Sequence, residues 1–226
     1  MIIVVGLAFE ARIAAGPGVQ VICSGDGRDL ASKLTAAIKD ARAHGRAYQG
    51  LVSFGVAGGL APQLPTGACV VGSHVLSGSK SMPTDRAWSE KLLRTIPGAV
   101  SGALLGVSAP VAHPRDKREL YARTGAIAVD MESHVVARLA AAYGAPFVVV
   151  RGVSDGAMRA LPHAAQVGLG PDGRPAVRAV LASLRSNPWQ LGALIRTALE
   201  AEDGFHALER ARQALGPRLA GPEADA

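Results

Sequence analysis

Short apolar runs alternate with longer stretches of helical period along most of the chain. The runs IIVVG, VQVICSG, LVSFGVAGG and GACVVGSHVL are rich in β-branched residues and read as strands. Between them, a stretch near Asp29 to His44 and another around Asp85 to Thr95 repeat apolar residues at the spacing of a helix with one buried face. The pattern then recurs as the run AVSGALLGVS, a helix near Arg115 to Arg123, the strand AIAVDM, a helix from Glu132 to Tyr143 and the strand PFVVVRGVS. From Pro175 onward the chain reads as helical, with Asn187-Pro188 marking a break between two helices. Strands and helices in this order imply crossover units around a mostly parallel sheet. The expectation is therefore an α/β fold in a single domain over 1–215, followed by a flexible C-terminal tail over 216–226.

In open α/β sheets, ligands sit beyond the carboxyl ends of the strands, so polar residues that end a strand are the first candidates for chemistry. Those ends are Gly6 to Glu10, Gly55 to Gly59, Asp130 to Glu132 and Arg151 to Asp155.

Composition narrows the picture. Of 226 residues, 49% are apolar, enough to bury a core without disulfides or a structural metal. Cys23 and Cys69 both sit in strand-like runs without the close Cys or His neighbours of a zinc site, and the six histidines show no metal spacing, so no metal is expected. The opening MIIVVGLAFEARIAA lacks a basic leader and meets Glu10 and Arg12 early, which reads as a soluble, reduced, cytoplasmic chain. The net charge of +6 comes from arginines scattered through the helices. Without a basic stripe or interleaved aromatics, nucleic acid is not an expected partner; an anionic substrate or peripheral contact with an anionic membrane stays open.

Three motifs carry the candidate chemistry. GVAGGL places Gly55, Gly58 and Gly59 where a backbone must turn tightly or approach a flat ligand, and a plain strand-to-helix turn is the competing reading. AVDMES ends a strand with Asp130 and Glu132 flanking Met131; Glu132 suits either a ribose diol or the first turn of the next helix. VVVRGVSD drives an apolar strand into Arg151, Ser154 and Asp155, with Asp155 a general acid or, with Ser154, a helix cap. Ser77, Ser79 and Ser81 make no nucleophile elbow. The segment from Ser77 to Arg86 reads as a lid or a surface loop.

Taken in order, GLAFEAR, GVAGGLAPQLPTGACVV and AIAVDMESHVVARLAAAYGAPFVVVRGVSD resemble the nucleoside phosphorylase and nucleosidase superfamily, above all its methylthioadenosine/S-adenosylhomocysteine nucleosidase branch. The resemblance implies a three-layer α/β/α phosphorylase-like fold with a central mixed sheet, and a homodimer. Glu132 would hold the ribose hydroxyls, Met131 would pack beside the sugar, and Asp155 would donate a proton toward the purine N7. Ala57 and Gly58 would lie along the nucleoside, and Arg151 matches an arginine near the nucleophile. Glu10 falls where nucleosidases activate water; phosphorylases carry a phosphate-binding arginine there, and GLAFEAR offers Arg12 nearby.

Two positions depart from that pattern. Val56 replaces a serine of the nucleosidase loop, and GVSAPVAHP offers no aromatic residue for the base, leaving Val111 and backbone groups. SDGAMRALP and NPWQLGALIRTALEAEDG further resemble the hopanoid-associated group, whose implied substrate is adenosylhopane, a lipid-linked adenosine that loses adenine. No cofactor is implied beyond inorganic phosphate as co-substrate if the enzyme is a phosphorylase. A nucleoside- or lipid-binding module that has lost catalysis is the non-enzymatic alternative.

Overall fold

The computed structural model describes residues 1–44, 49–166, 176–217 and 219–221. In chain order the elements are β1 (Ile2–Val5), α1 (Ala8–Ala14), β2 (Gln20–Cys23), α2 (Gly27–Ala43), β3 (Leu51–Gly59), β4 (Cys69–Ser77) and β5 (Lys80–Pro83). They continue as α3 (Arg86–Thr95), β6 (Val100–Gly106), α4 (Pro114–Thr124), β7 (Ala128–Asp130), α5 (Ser133–Tyr143) and β8 (Phe147–Asp155). The C-terminal part holds α6 (His163–Gln166), α7 (Val177–Ser186), a 3-10 turn (Pro188–Gln190) and α8 (Leu191–Leu215).

Side-chain alternation in the strands sorts the core into two layers. Ile2 and Val4 of β1, with Phe147 and Val149 of β8, face a cluster completed by Leu30, Leu34 and Ile38 of α2 and Val135 and Val136 of α5. Ile3 and Val5, with Val148 and Val150, face the other side, where Ala14 of α1, Trp88 and Leu92 of α3, and Leu208, Ala211 and Leu215 of α8 cover them. Helices thus lie on both faces of a central mixed sheet, the α/β architecture read from the sequence.

Among the described residues the sheet runs β2-β1-β3-β7-β6-β4-β5, with β8 pairing both β3 and β4. Strands β3, β8, β4, β6 and β7 therefore close into a ring. The β3–β7, β4–β5 and β4–β8 pairs are antiparallel and the others parallel.

Local chemistry fixes the helix ends. Asp26 caps α2 by accepting from the N–H groups of Arg28 and Asp29, both at 2.9 Å, and Asp85 caps α3 by accepting from Trp88 N–H at 2.9 Å. Pro114 opens α4, and Gly125 closes it in the left-handed conformation, φ 68°. The break expected at Asn187-Pro188 falls between α7 and the 3-10 turn.

Two sequence expectations are corrected. GVAGGL makes no strand-to-helix turn: β3 runs extended through Gly59. The segment from Ser77 to Arg86 is largely a strand, because β5 pairs antiparallel with the end of β4, His74 opposite Pro83 and Ser77 opposite Lys80. After α8, Leu219 is buried and its carbonyl accepts from the Trp88 indole N–H at 3.1 Å. Residues 218 and 222–226 of the expected tail, and 167–175 of the Gly/Pro-rich stretch, lie outside the described residues.

Candidate active site

A cavity of about 210 Å³ opens where the strand ends converge. Glu10, Ala57, Gly58, Val111, Met131, Glu132 and Asp155 all line it, so seven of the eight candidate residues from the sequence meet in one place. The eighth, Arg151, lies beneath the wall and is 1% exposed. A larger cleft, about 410 Å³, lies between Gly67–Cys69, Ile96–Gly98 and the C-terminal half of α8, but Arg210 is the one charged side chain among its lining residues. Converging ionisable groups make the smaller cavity the candidate site.

Glu10 stands in the first turn of α1 and folds back over the chain end of β1. Its Oε2 accepts from the N–H groups of Gly6 and Leu7, both at 2.9 Å, and its Oε1 from Val56 N–H at 2.7 Å. Burial raises its pKa, while those three N–H groups and the Arg151 charge pull the other way. Glycine makes room for it: a Cβ on Gly55 would stand 2.6 Å from Glu10 Oε1. The same device serves Glu132, since a Cβ on Gly6 would stand 2.6 Å from Glu132 Oε1.

Glu132 occupies the N-cap position of α5, yet its side chain makes no capping bond there. It turns into the cavity instead, 17% exposed, with Oε2 3.7 Å from Arg151 Nη2. Its pKa is pushed up to about 8, first by burial, against the opposing pull of Arg151 and with reinforcement from the Asp130 and Glu10 carboxylates.

Arg151 organises this acidic corner. Its Nε donates to Asp130 Oδ2 at 2.7 Å and its Nη2 to Ser53 Oγ at 2.7 Å. Burial works against the guanidinium charge, but Asp130, Glu132 and Glu10 outweigh it and its pKa rises. Asp130 is occupied on its other side too, because Oδ1 accepts from Ser133 N–H at 3.0 Å and Ser133 Oγ at 2.7 Å. Asp130 thus ties β7 to α5 and β8; it also lines the cavity, but both its oxygens are engaged, and Glu132 is the carboxylate of AVDMES without such partners.

Asp155 ends β8 at a bulge. Ala57 pairs with Val153 and Gly58 with Asp155, so Ser154 is the extra residue, and strand alternation breaks where the strand becomes cavity wall. No helix follows directly, so neither Ser154 nor Asp155 is a helix cap. Ser154 Oγ lies 2.9 Å from Asp155 Oδ1 and 3.2 Å from Ala57 O, and its one hydrogen serves either. The other oxygen, Oδ2, accepts from Lys117 Nζ. Lys117 comes from α4 and is 0% exposed; its Nζ also donates to Gly156 O at 2.9 Å and Arg159 O at 3.1 Å. Every N–H of the ammonium therefore has an acceptor. Sequence reading passed over Lys117 because it lies in the charged run PRDKRE. The one available sign was its spacing three and four residues before Leu120 and Tyr121, on the inward side of the helix.

Opposite the carboxylates the wall is apolar: Val107, Pro110, Val111 and Leu161. No aromatic ring lines the cavity among the described residues. Val56, in place of the expected serine, contributes a backbone N–H to Glu10 and an apolar side chain to the lining.

The model of the phosphorylase superfamily matches residues 5–184, a span that includes all of these groups. The chain belongs to the phosphorylase superfamily. Solved structures with the superfamily fold align over almost the whole chain at low identity. Futalosine hydrolase of Helicobacter pylori superposes with a TM-score of 0.67 at 14% identity, covering 96% of each chain. The 5′-methylthioadenosine/S-adenosylhomocysteine nucleosidase of the same organism gives 0.66 at 14% identity, covering 95% of this chain and 94% of that one. The corresponding nucleosidase of Colwellia psychrerythraea, in complex with adenine, gives 0.61 at 18% identity, covering 95% and 94%. No curated protein matches the sequence.

Proposed function

We propose that this superfamily member hydrolyses the N-glycosidic bond of a 5′-substituted adenosine and releases adenine. The observation that carries the reading is the placement of three carboxylates, Glu10, Glu132 and Asp155, around one cavity whose opposite wall, Val107, Pro110, Val111 and Leu161, is apolar. Glu132, ionised, accepts from the two ribose hydroxyls beside Met131. Asp155, after taking up a proton from water in the cavity, gives it to the purine N7 as the C1′–N9 bond breaks and its electron pair moves onto the base, and the carboxylate left behind returns to its ion pair with Lys117. Water attacks C1′ and passes a proton to Glu10. The sugar becomes cation-like in between, which the carboxylates on its side favour. Ala57 and Gly58 lie along the nucleoside, and Val111 with its apolar neighbours flanks the base.

Electrostatics favours water over phosphate as nucleophile. A phosphate anion beside Glu10 would meet two carboxylates, while the nearby cation, Arg151, is already engaged by Asp130 and Ser53 and stands behind the cavity wall. Arg12, the other basic residue of GLAFEAR, is exposed and does not line the cavity.

The finer reading, adenosylhopane converted to ribosylhopane in hopanoid biosynthesis, rests on the resemblance of the C-terminal third to that group. A cytoplasmic homodimer belongs to the same reading. The test is adenine release from methylthioadenosine and from a 5′-alkyl lipid analogue, in phosphate-free buffer and with phosphate added. Release from the lipid analogue without phosphate is expected; a phosphate requirement would make the protein a phosphorylase, and no release from either would leave the binding-module alternative.

A further inference from the structure

The polarity of the corner formed by α7, the 3-10 turn and the start of α8 is inverted. Ser183 is the one buried residue of α7, whereas Val177, Leu181, Trp189, Leu191, Ile195 and Leu199 are exposed, Trp189 at 92%. Val177 and Leu181 are four apart on α7, and Leu191, Ile195 and Leu199 repeat every four on α8, so each helix carries an apolar stripe toward solvent. Trp189 stands at the apex between them. An outward apolar surface of this kind marks an interaction site.

Charge indicates what covers it. Residues 176–199 contain Arg178, Arg185 and Arg196 and no Asp or Glu. Each arginine sits next in sequence to an apolar helix position or one turn from it, so basic groups flank the stripes. The first acid beyond, Glu200, is already paired with Arg159. A second copy docked by the same face would bring the arginine rims against each other with no acid from this segment to pair them. An anionic lipid headgroup layer answers both features: phosphates meet the arginines, while Trp189 and the aliphatic stripes enter the acyl boundary. No helix among the described residues is long and apolar enough to cross a membrane, so the contact lies in the interface plane.

We infer that this helical corner docks the protein on an anionic membrane surface, with Trp189 inserted first. The corner is bolted to the cavity wall: Ala164 N–H of α6 donates to Gln190 Oε1 at 3.0 Å, His163 Nδ1 is hydrogen-bonded to Ser183 Oγ at 3.0 Å, and Ala165 and Gln166 line the cavity. Docking therefore places the cavity beside the lipid. The inference stands apart from the identity of the substrate, since it concerns adsorption and not turnover.

Intrinsic fluorescence tests it cleanly, because the chain has two tryptophans and the other, Trp88, is 3% exposed. Phosphatidylglycerol/phosphatidylcholine vesicles are added to the full chain, with phosphatidylcholine alone as the comparison. The expected result is a blue shift of Trp189 emission and co-sedimentation with the anionic vesicles. The Trp189→Ser variant should lose the shift, Ile195→Glu should weaken sedimentation roughly tenfold or more, and Arg178→Glu with Arg185→Glu should abolish the preference for anionic lipid. Turnover of a soluble nucleoside should be the same in these variants as in the parent, which separates failure here from failure of the proposed reaction. No shift and no sedimentation with either vesicle would overturn the inference. A blue shift that grows with protein concentration in the absence of lipid, with a doubled mass, would overturn it in favour of self-association.

Discussion

Lys117 and Asp155, 38 residues apart in sequence, form a buried ion pair in which Asp155 lines the cavity and Lys117 stands behind it. The carboxylate proposed above as the general acid is therefore held by an ammonium that touches no solvent. Such a pair stabilises the carboxylate that remains once the proton has gone, and it fixes Asp155 against the turn from Gly156 to Arg159. In the proposed reaction Lys117 would act through Asp155, by positioning it.

Removing one partner leaves the other as an unpaired buried charge. The Lys117→Met variant should lose about 3–5 kcal/mol of stability. Adding Asp155→Asn should return much of that loss, while Asp155→Asn by itself should lower turnover about 10²–10⁴-fold. A double-mutant cycle by urea unfolding reads the coupling; strictly additive losses would mean that the pair does not form.

Glu132 ties stability to pH. Below its ordinary value of 4.5 the carboxyl is protonated in folded and unfolded chains alike. Between there and the folded value of about 8, the unfolded chain releases a proton that the folded chain keeps, so stability falls as pH rises. The Glu132→Gln variant escapes this decline and should be more stable than the parent at pH 9 by about 1 kcal/mol or more, with little difference at pH 4. Thermal melts across that range decide it. Ribose binding should follow the opposite sense, KM for the nucleoside rising as pH falls below about 8, because the diol is accepted by the ionised form.

The close approach of β3 to Glu10 yields a steric prediction. Gly55→Ala forces a Cβ to within 2.6 Å of Glu10 Oε1, so the carboxylate must move and turnover should fall about 10²-fold. Gly192→Ala provides the contrast, because a Cβ there meets nothing within 4 Å and lies in a helix. That variant should gain up to about 1 kcal/mol and leave kcat unchanged.

Arg151→Met should unfold the acidic corner, with a loss of about 3–5 kcal/mol in urea, because Asp130, Glu132 and Glu10 would share a buried site without their common cation. Arg151→Lys should recover part of this, since a lysine keeps the charge but lacks the fork that reaches Asp130 and Ser53 together.

Much of this arrangement was legible in the chain because strand periodicity and strand ends are local properties. Runs of β-branched residues marked β1 and β8 as strands, and abrupt transitions such as VVVRGVSD exposed the candidate site groups. What could not be read is long-range. Lys117 looks like one more surface charge until α4 is folded against β8, and nothing in SMP announces a strand until β4 lies beside it. Arg151 likewise reads as a ligand-facing residue at a strand end, and only the packed structure shows Asp130 and Ser53 claiming it first.

Because five strands close on one another, the sheet keeps two open edges among the described residues, β2 and β5. Each is four residues long, and β5 begins with Lys80 and ends with Pro83. Edges this short, one of them marked by a charge and a residue that cannot donate, make poor templates for a foreign strand. The fold is thereby guarded against edge-to-edge aggregation, and its helical faces and loops offer a subunit partner far more surface than its sheet edges do.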